Sequence, residues 1–200
     1  WNDGCINCHT TAGHSQPVGD NVFDSNVSDF GIACEACHDG GREHIERNRD
    51  PFRRFSLHLS DEKDQTIANP ARMDGPTASL VCGQCHSIWA FKNAATKSKL
   101  SNEGAVYRPG DPNMELRIVL EPFNADNATR QEILKTFGKS FWSDGQIRVT
   151  GREFNGTMAS PCFKGGDFSC LSCHDLHPDE TDEKSLALWA KDHQMGSEMN

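Results

Sequence analysis

Apolar positions recur at helical or strand spacing in only a few stretches of this chain. Residues 1–33 scatter single apolar residues among Gly, Asn, Asp and Ser with little helical periodicity, which predicts an irregular segment. Gly40-Gly41 opens a turn, and residues 42–49 have a helical composition that Asp50-Pro51 should halt. Phe55, Leu57 and Leu59 then alternate with polar positions, predicting a short extended stretch with His58 on its polar side. Farther on, Asn127 reads as the N-cap of a helix over residues 128–137, closed by Gly138. Ser143-Asp144-Gly145 predicts a turn and residues 146–150 a strand. Between Thr181 and Met195, Leu186, Trp189, Ala190 and His193 fall at helical spacing, predicting a C-terminal helix that ends at Gly196. No apolar run approaches the roughly 18 residues of a membrane span.

One short pattern does recur. Cys5-Ile6-Asn7-Cys8-His9, Cys34-Glu35-Ala36-Cys37-His38, Cys82-Gly83-Gln84-Cys85-His86 and Cys170-Leu171-Ser172-Cys173-His174 all have the form C-x-x-C-H. With this cysteine and histidine content, chance would supply about 0.02 such pentapeptides, so four of them point to a shared chemistry. Two thiols three positions apart can add to the two vinyl groups of one porphyrin, and the adjacent histidine then meets the iron. The expectation is four covalently attached c-type haems, with thioethers at Cys5, Cys8, Cys34, Cys37, Cys82, Cys85, Cys170 and Cys173 and proximal ligands His9, His38, His86 and His174.

That expectation changes the meaning of the composition. Hydrophobic residues make up 36% of the 200 and aromatics 8%, a thin supply for a core built from side chains alone. The predicted fold is therefore mostly α-helix and irregular coil wrapped around stacked haems, low in regular structure and with minor β. Spacing of the motifs divides it into a three-haem part at 1–90, a haem-free insert at 91–161, and the fourth haem with a C-terminal helix at 162–200.

Nine histidines less four proximal ones leave His14, His44, His58, His177 and His193 as distal candidates for four irons. His177 follows His174 too closely to reach round its own iron, so it is expected to cap another haem; His44, six residues after His38, is expected to do the same. Met73, Met114, Met158, Met195 and Met199 offer the other common axial ligand, but packing or tail positions suit them better. Cys162, the ninth cysteine, has no thioether role and reads as a buried small hydrophobe, with an intermolecular disulfide or a reactive thiol as alternatives.

The formal charge of -9 becomes more negative with ionised propionates, which argues against nucleic acid as a partner. Thioether attachment takes place outside the cytoplasm, so a periplasmic or extracellular location is expected, with a signal peptide removed before Trp1. Sequons at Asn26, Asn127 and Asn155 fit an exported chain but are too short to carry weight.

The run from Gly31 to His44, together with Val81 to His86, Tyr107-Arg108-Pro109-Gly110-Asp111, Phe141-Trp142-Ser143-Asp144-Gly145 and Ser169 to His177, resembles the multihaem cytochromes c of the cytochrome c-554-like, tetratricopeptide-associated kind. The sequence departs from that family at Asp39-Gly40-Gly41, where Gly-Pro-Gly is usual, while His44 still matches. Members also run on beyond the positions matching Gln194-Met195-Gly196 into a further C-x-x-C-H, whereas this sequence ends at Asn200. In size and haem count the chain is similar to the tetrahaem subunits of extracellular cytochrome filaments. That missing motif suggests that the N-terminal haem segment of a neighbouring subunit, beginning Trp1-Asn2-Asp3-Gly4-Cys5, takes its place. A head-to-tail contact of that kind does not close and generates a filament, with His14 or His193 ligating a neighbour's iron.

Two functions from different classes follow. One is electron transfer without substrate chemistry, through closely packed bis-histidine haems, either in an extracellular filament of identical subunits or as a soluble periplasmic shuttle serving other redox proteins or an extracellular acceptor. The other is a nitrite- or hydroxylamine-type reductase, which needs one open iron beside groups such as Lys92, Arg148 or Arg152; surface charge or propionate pairing is the blander role of each. Zinc binding by the pentapeptides is disfavoured, because a histidine directly beside the second cysteine suits a single tetrahedral ion poorly.

Overall fold

The computed structural model describes residues 1–60, 62–104, 108–111, 117–166, 168–178 and 183–191. Among them about 44% are helical and 11% extended, in helices of eleven residues or fewer and two-stranded sheets only. The mostly α, weakly regular architecture expected from composition is therefore present. No described helix is long and apolar enough to cross a membrane.

The chain opens with α1 (Asp3–His9), so the first motif is helical where the sequence reads as irregular. The Asn2 side chain accepts from the Cys5 amide and caps it, a signal obscured by the turn-rich residues that follow. Those residues form β1 (Thr10–Thr11), β2 (Pro17–Gly19), β3 (Val22–Phe23) and β4 (Asp29–Phe30). β2 and β3 make a hairpin whose tip residue Asn21 takes a positive φ of 57°, and β1 pairs antiparallel with β4 at Thr10↔Phe30.

The second motif lies on α2 (Glu35–His38), followed by α3 (Arg42–Arg47) as composition predicts. Next comes α4 (Pro51–Leu59), which corrects the extended stretch expected there. α3 stops at Arg47, with Asn48 as its C-cap, shortly before Asp50-Pro51, and that pair starts the next helix. The Asp50 side chain accepts from the Phe52 amide, and Pro51 at the first helical position gives up no hydrogen bond. The alternation of Phe55, Leu57 and Leu59 was misleading because Phe52, Phe55 and Leu59 also fit a helical face.

A short 3₁₀ turn at Pro70–Arg72 leads into α5 (Gly75–Gly83), the centre of the packing. Thr77, Ala78, Ser79, Val81 and Gly83 of α5 are all buried. β5 (Trp89–Phe91) follows, then α6 (Ala94–Glu103), and β6 (Arg117–Val119) pairs antiparallel with β5 at Ala90↔Ile118. α7 (Asn127–Phe137) is capped by Asp126, which accepts from the Thr129 amide, so the N-cap lies one residue before the Asn127 read from sequence. Residues 146–150 do not form the expected strand; a single bridge joins Phe141 to Ile147 after the turn at Gly145.

Then come α8 (Glu153–Ala159), α9 (Pro161–Lys164), a 3₁₀ turn at Cys170–Ser172 and α10 (Leu186–Lys191). The C-terminal helix is thus present over part of its expected length; His193, Met195 and Gly196 lie outside the described residues, as do Tyr107, Met114 and Met199.

Among the described residues the buried apolar side chains include Ala78 and Val81 of α5 and Phe154 of α8, with Ile6 of α1, Leu100 of α6, Leu120 and Phe141. Polar ties supplement them. Asp3 accepts from the Ser15 and Ser101 hydroxyls, joining α1 to α6. The buried Asn155 side chain bonds the Ile88 amide at 2.7 Å and the Leu120 carbonyl at 2.8 Å, fixing α8 to the ends of β5 and β6. That burial takes Asn155 out of the list of usable sequons, while Asn26 and Asn127 are exposed.

Candidate functional site

α5 carries the third motif at its C-terminal end and gathers the other three around it. The Gln84 side chain donates to the Ala36 carbonyl at 2.7 Å, holding the second motif. The Ser79 hydroxyl accepts from the Cys170 amide at 3.2 Å, holding the fourth. The Cys85 thiol lies 3.6 Å from the Asn7 carbonyl, and the Cys8 thiol 3.9 Å from the Cys85 carbonyl, which brings in the first. Gly83 within the third motif allows this convergence. A Cβ there would lie 2.6 Å from the Phe154 ring, which is itself braced edge-on by Phe163.

Thiols of different motifs therefore meet in pairs. Hydrogen bonding to Cys85 lowers the Cys8 thiol to about 6 against the opposing effect of burial, helped by the Arg152 and Arg117 guanidiniums and by His9. Cys85 is pushed up by the same contact and by burial. Cys170 is lowered to about 6 by its hydrogen bond with Cys82, burial opposing and the Ser79 hydroxyl assisting, while Cys82 is pushed up. Burial and the neighbouring Cys34 raise Cys37. Cys5 and Cys34 are exposed.

Three histidines are held by Nδ1. His38 Nδ1 lies 2.8 Å from the Ala68 carbonyl, His86 Nδ1 lies 3.3 Å from a Glu153 carboxylate oxygen, and His44 Nδ1 lies 3.2 Å from Asp64. Burial disfavours the Asp64 carboxylate. The Thr66 hydroxyl and amide, Asn48 and Arg53 outweigh that and hold it well below the usual carboxylate range. With Nδ1 engaged in this way, Nε2 is the nitrogen left to meet a metal.

The His38 and His177 rings, from the second and fourth motif regions, lie with centroids 6.2 Å apart and planes 18° from parallel. Two imidazoles holding one metal between them, with bonds of about 2.0 Å, would have centroids about 6.3 Å apart, so His38 and His177 have a spacing at which both would be able to hold one iron. His44 lines a cavity of about 920 Å³ whose walls also carry Leu57, Met73, Lys63, Arg72 and Arg108. The lining is mixed, with Leu57, Ile67, Ala68 and Met73 beside three cations and the carboxylates of Asp39, Glu43, Glu62 and Asp64; the apolar side chains and the cations are the part that would suit a macrocycle bearing two carboxylates.

His9 is exposed, and His174 is half-buried after the 3₁₀ turn of its motif. His58 is exposed on α4, beside the outward-facing Phe55 and Leu59. His14 is half-buried, its backbone bridged to Asn26 and its ring beside Gly104. Lys92 is exposed, and Arg148 lies over the Trp142 ring at 4.8 Å. Cys162 is exposed, not buried as its composition suggested.

Two arginines stand at the junction of the first and third motifs. Arg152 Nη1 donates to the Cys85 carbonyl at 2.8 Å. Arg117, only 4% exposed, donates from Nη1 to the Gln84 carbonyl at 2.9 Å and lies over the Trp89 ring at 4.6 Å. Sequence reading missed Arg117; its one signal is a cation beginning the short β-branched run Arg117-Ile118-Val119.

The donor set fits covalent haem, with two thiols and a histidine at each motif and a tethered Nδ1 at the second and third. Among the described residues no three His, Cys, Asp or Glu side chains converge as a bare tetrahedral ion would need. Comparison with protein families, with curated proteins and with solved structures finds no significant match to this chain.

Proposed function

We propose that this chain is a tetrahaem c-type cytochrome that carries electrons through closely packed bis-histidine haems, as the repeating subunit of an extracellular filament. The observation that carries the reading is the meeting of thiols from different motifs, Cys8 with Cys85 and Cys82 with Cys170. Groups attached at those sulfurs leave the chain from adjacent points, which is what transfer between neighbours requires. The His38–His177 couple and the tethered Nδ1 atoms of His38, His44 and His86 support it independently.

Bound haem supplies a reversible one-electron couple at iron. The chain's own residues do the rest. Ala68, Asp64 and Glu153 orient three imidazoles, α5 fixes the spacing of the motifs, and Lys63, Arg72 and Arg108 offer cations to propionates in the cavity beside His44. Wrapping of the chain around the haems accounts for the apolar side chains that the protein leaves uncovered, Phe52, Phe55 and Leu59 foremost.

The filament part is supported by a second exposed apolar group at the N-terminal segment. Trp1, Phe30 and Ile32 are 54%, 80% and 56% exposed, and the Trp1 and Phe30 ring centroids lie 6.1 Å apart. Sedimentation velocity recorded in the haem absorption band tests the proposal. Haem-coloured polymers of broad size are expected; a single haem-coloured species of monomer mass would reduce the protein to a soluble shuttle, and a colourless one would end the haem reading.

A further inference from the structure

Arg117 is an anomaly that electron transfer as such does not explain. A buried guanidinium is costly unless an anion or a full set of hydrogen bonds compensates it. Arg117 is 4% exposed, its Nε has no hydrogen-bond partner, and no carboxylate among the described residues pairs with it. Its compensation is one carbonyl, that of Gln84, and the face of Trp89. The nearby groups able to carry negative charge are the sulfurs of Cys8 and Cys85, which also feel Arg152 and Arg117 in the case of Cys8. Once those sulfurs are thioethers they are neutral, and the cation is left facing whatever is attached there.

On the haem-carrier reading above, we propose that Arg117, with Arg152, is a potential-setting cationic pair for the haems attached at the first and third motifs. A ferric site gains one electron on reduction and loses one unit of positive charge, with no proton moved. A fixed cation nearby therefore favours the reduced form. The pair lies where Cys8 of the first motif meets Cys85 of the third, so it raises the potentials of those two haems more than those of the second and fourth. Because the charge is buried, salt screens it little, unlike the exposed lysines.

The test is a spectroelectrochemical titration of the haem-loaded full chain, parent against Arg117→Gln, Arg117→Lys and Arg152→Gln, at low and high salt. Arg117→Gln keeps a donor for the Gln84 carbonyl but removes the charge. It is expected to lower the reduction equilibrium constant for half of the titration amplitude about tenfold, about 59 mV downward for a one-electron couple, at both salt concentrations. Arg117→Lys should restore most of the shift, and Arg152→Gln should move the same half in the same direction. Superimposable curves for parent and Arg117→Gln, or equal movement of all four haems, would overturn the proposal while leaving four haems bound. If Arg117→Gln fails to accumulate, Arg152→Gln decides, an unchanged curve counting against. Absence of covalent haem from the parent would instead overturn the function on which the proposal rests.

Discussion

α4 and α5 are built to the same plan and end in opposite surroundings. Each spans nine residues, each is capped by an aspartate that accepts from an amide of the first turn, and each has proline at its start. α5 is buried by the protein itself, with Thr77, Ala78, Ser79, Val81 and Gly83 enclosed. α4 buries nothing, and Phe52, Phe55 and Leu59 on it are 83%, 64% and 70% exposed. Caps and propensity decide that a helix forms; what covers its apolar face is a separate matter. For α5 the cover is α8 and the neighbouring motifs, and for α4 the proposal assigns it to haem, with His58 beside the face.

The largest expected effect lies on the packed side. Gly83→Ala places a Cβ 2.6 Å from a Phe154 ring that Phe163 prevents from yielding freely. The gain in helix propensity from Gly to Ala is about 0.5–1 kcal/mol, but α5 ends at this residue and overpacking typically costs about 1–3 kcal/mol. Net destabilisation is expected, read as a lower denaturation midpoint. A rise in stability would show that α5 is less tightly held than described.

On the exposed side, Phe55→Asp is expected to lower the stability of the haem-loaded protein by roughly 1–2 kcal/mol, part of what burying a phenylalanine contributes. A truly solvated position would change by no more than about 0.5 kcal/mol. Denaturant unfolding followed in the haem band separates the two results, and a neutral outcome would erase the contrast drawn between the helices.

The smallest effect concerns the cap of α5. The Thr77 amide and hydroxyl hold the Asp74 carboxyl below its usual range. A depressed carboxylate contributes stability that is complete above its unfolded value and lost as pH falls through its folded one. The melting-temperature difference between parent and Asp74→Ala should therefore be full above about pH 5 and close as acid protonates the native carboxyl. A difference independent of pH would mean that the charge plays no part in the cap.

Much of the plan was readable from local signals. The eight motif cysteines and four adjacent histidines follow from spacing, and α3 and α7 follow from composition and the glycine after Phe137. α4 was misread because Asp50-Pro51 serves equally as a stop and a start, and only the Asp50–Phe52 bond distinguishes them. The β5–β6 pair was missed because its partners are far apart in sequence and each strand is three residues long. The same limit hid the features that matter most for the site. The Cys8–Cys85 and Cys82–Cys170 meetings, the His38–His177 couple and the burial of Arg117 all depend on contacts across 30 residues or more, which α5 organises and no local pattern encodes.

Everything functional above depends on covalent haem at all four motifs. The deciding measurement is the intact mass, under denaturing conditions, of the chain exported from cells that attach haem to C-x-x-C-H sequences. A mass equal to the polypeptide plus four haems is predicted. The mass of the bare polypeptide, from the same cells that load a known c-type cytochrome, would contradict it.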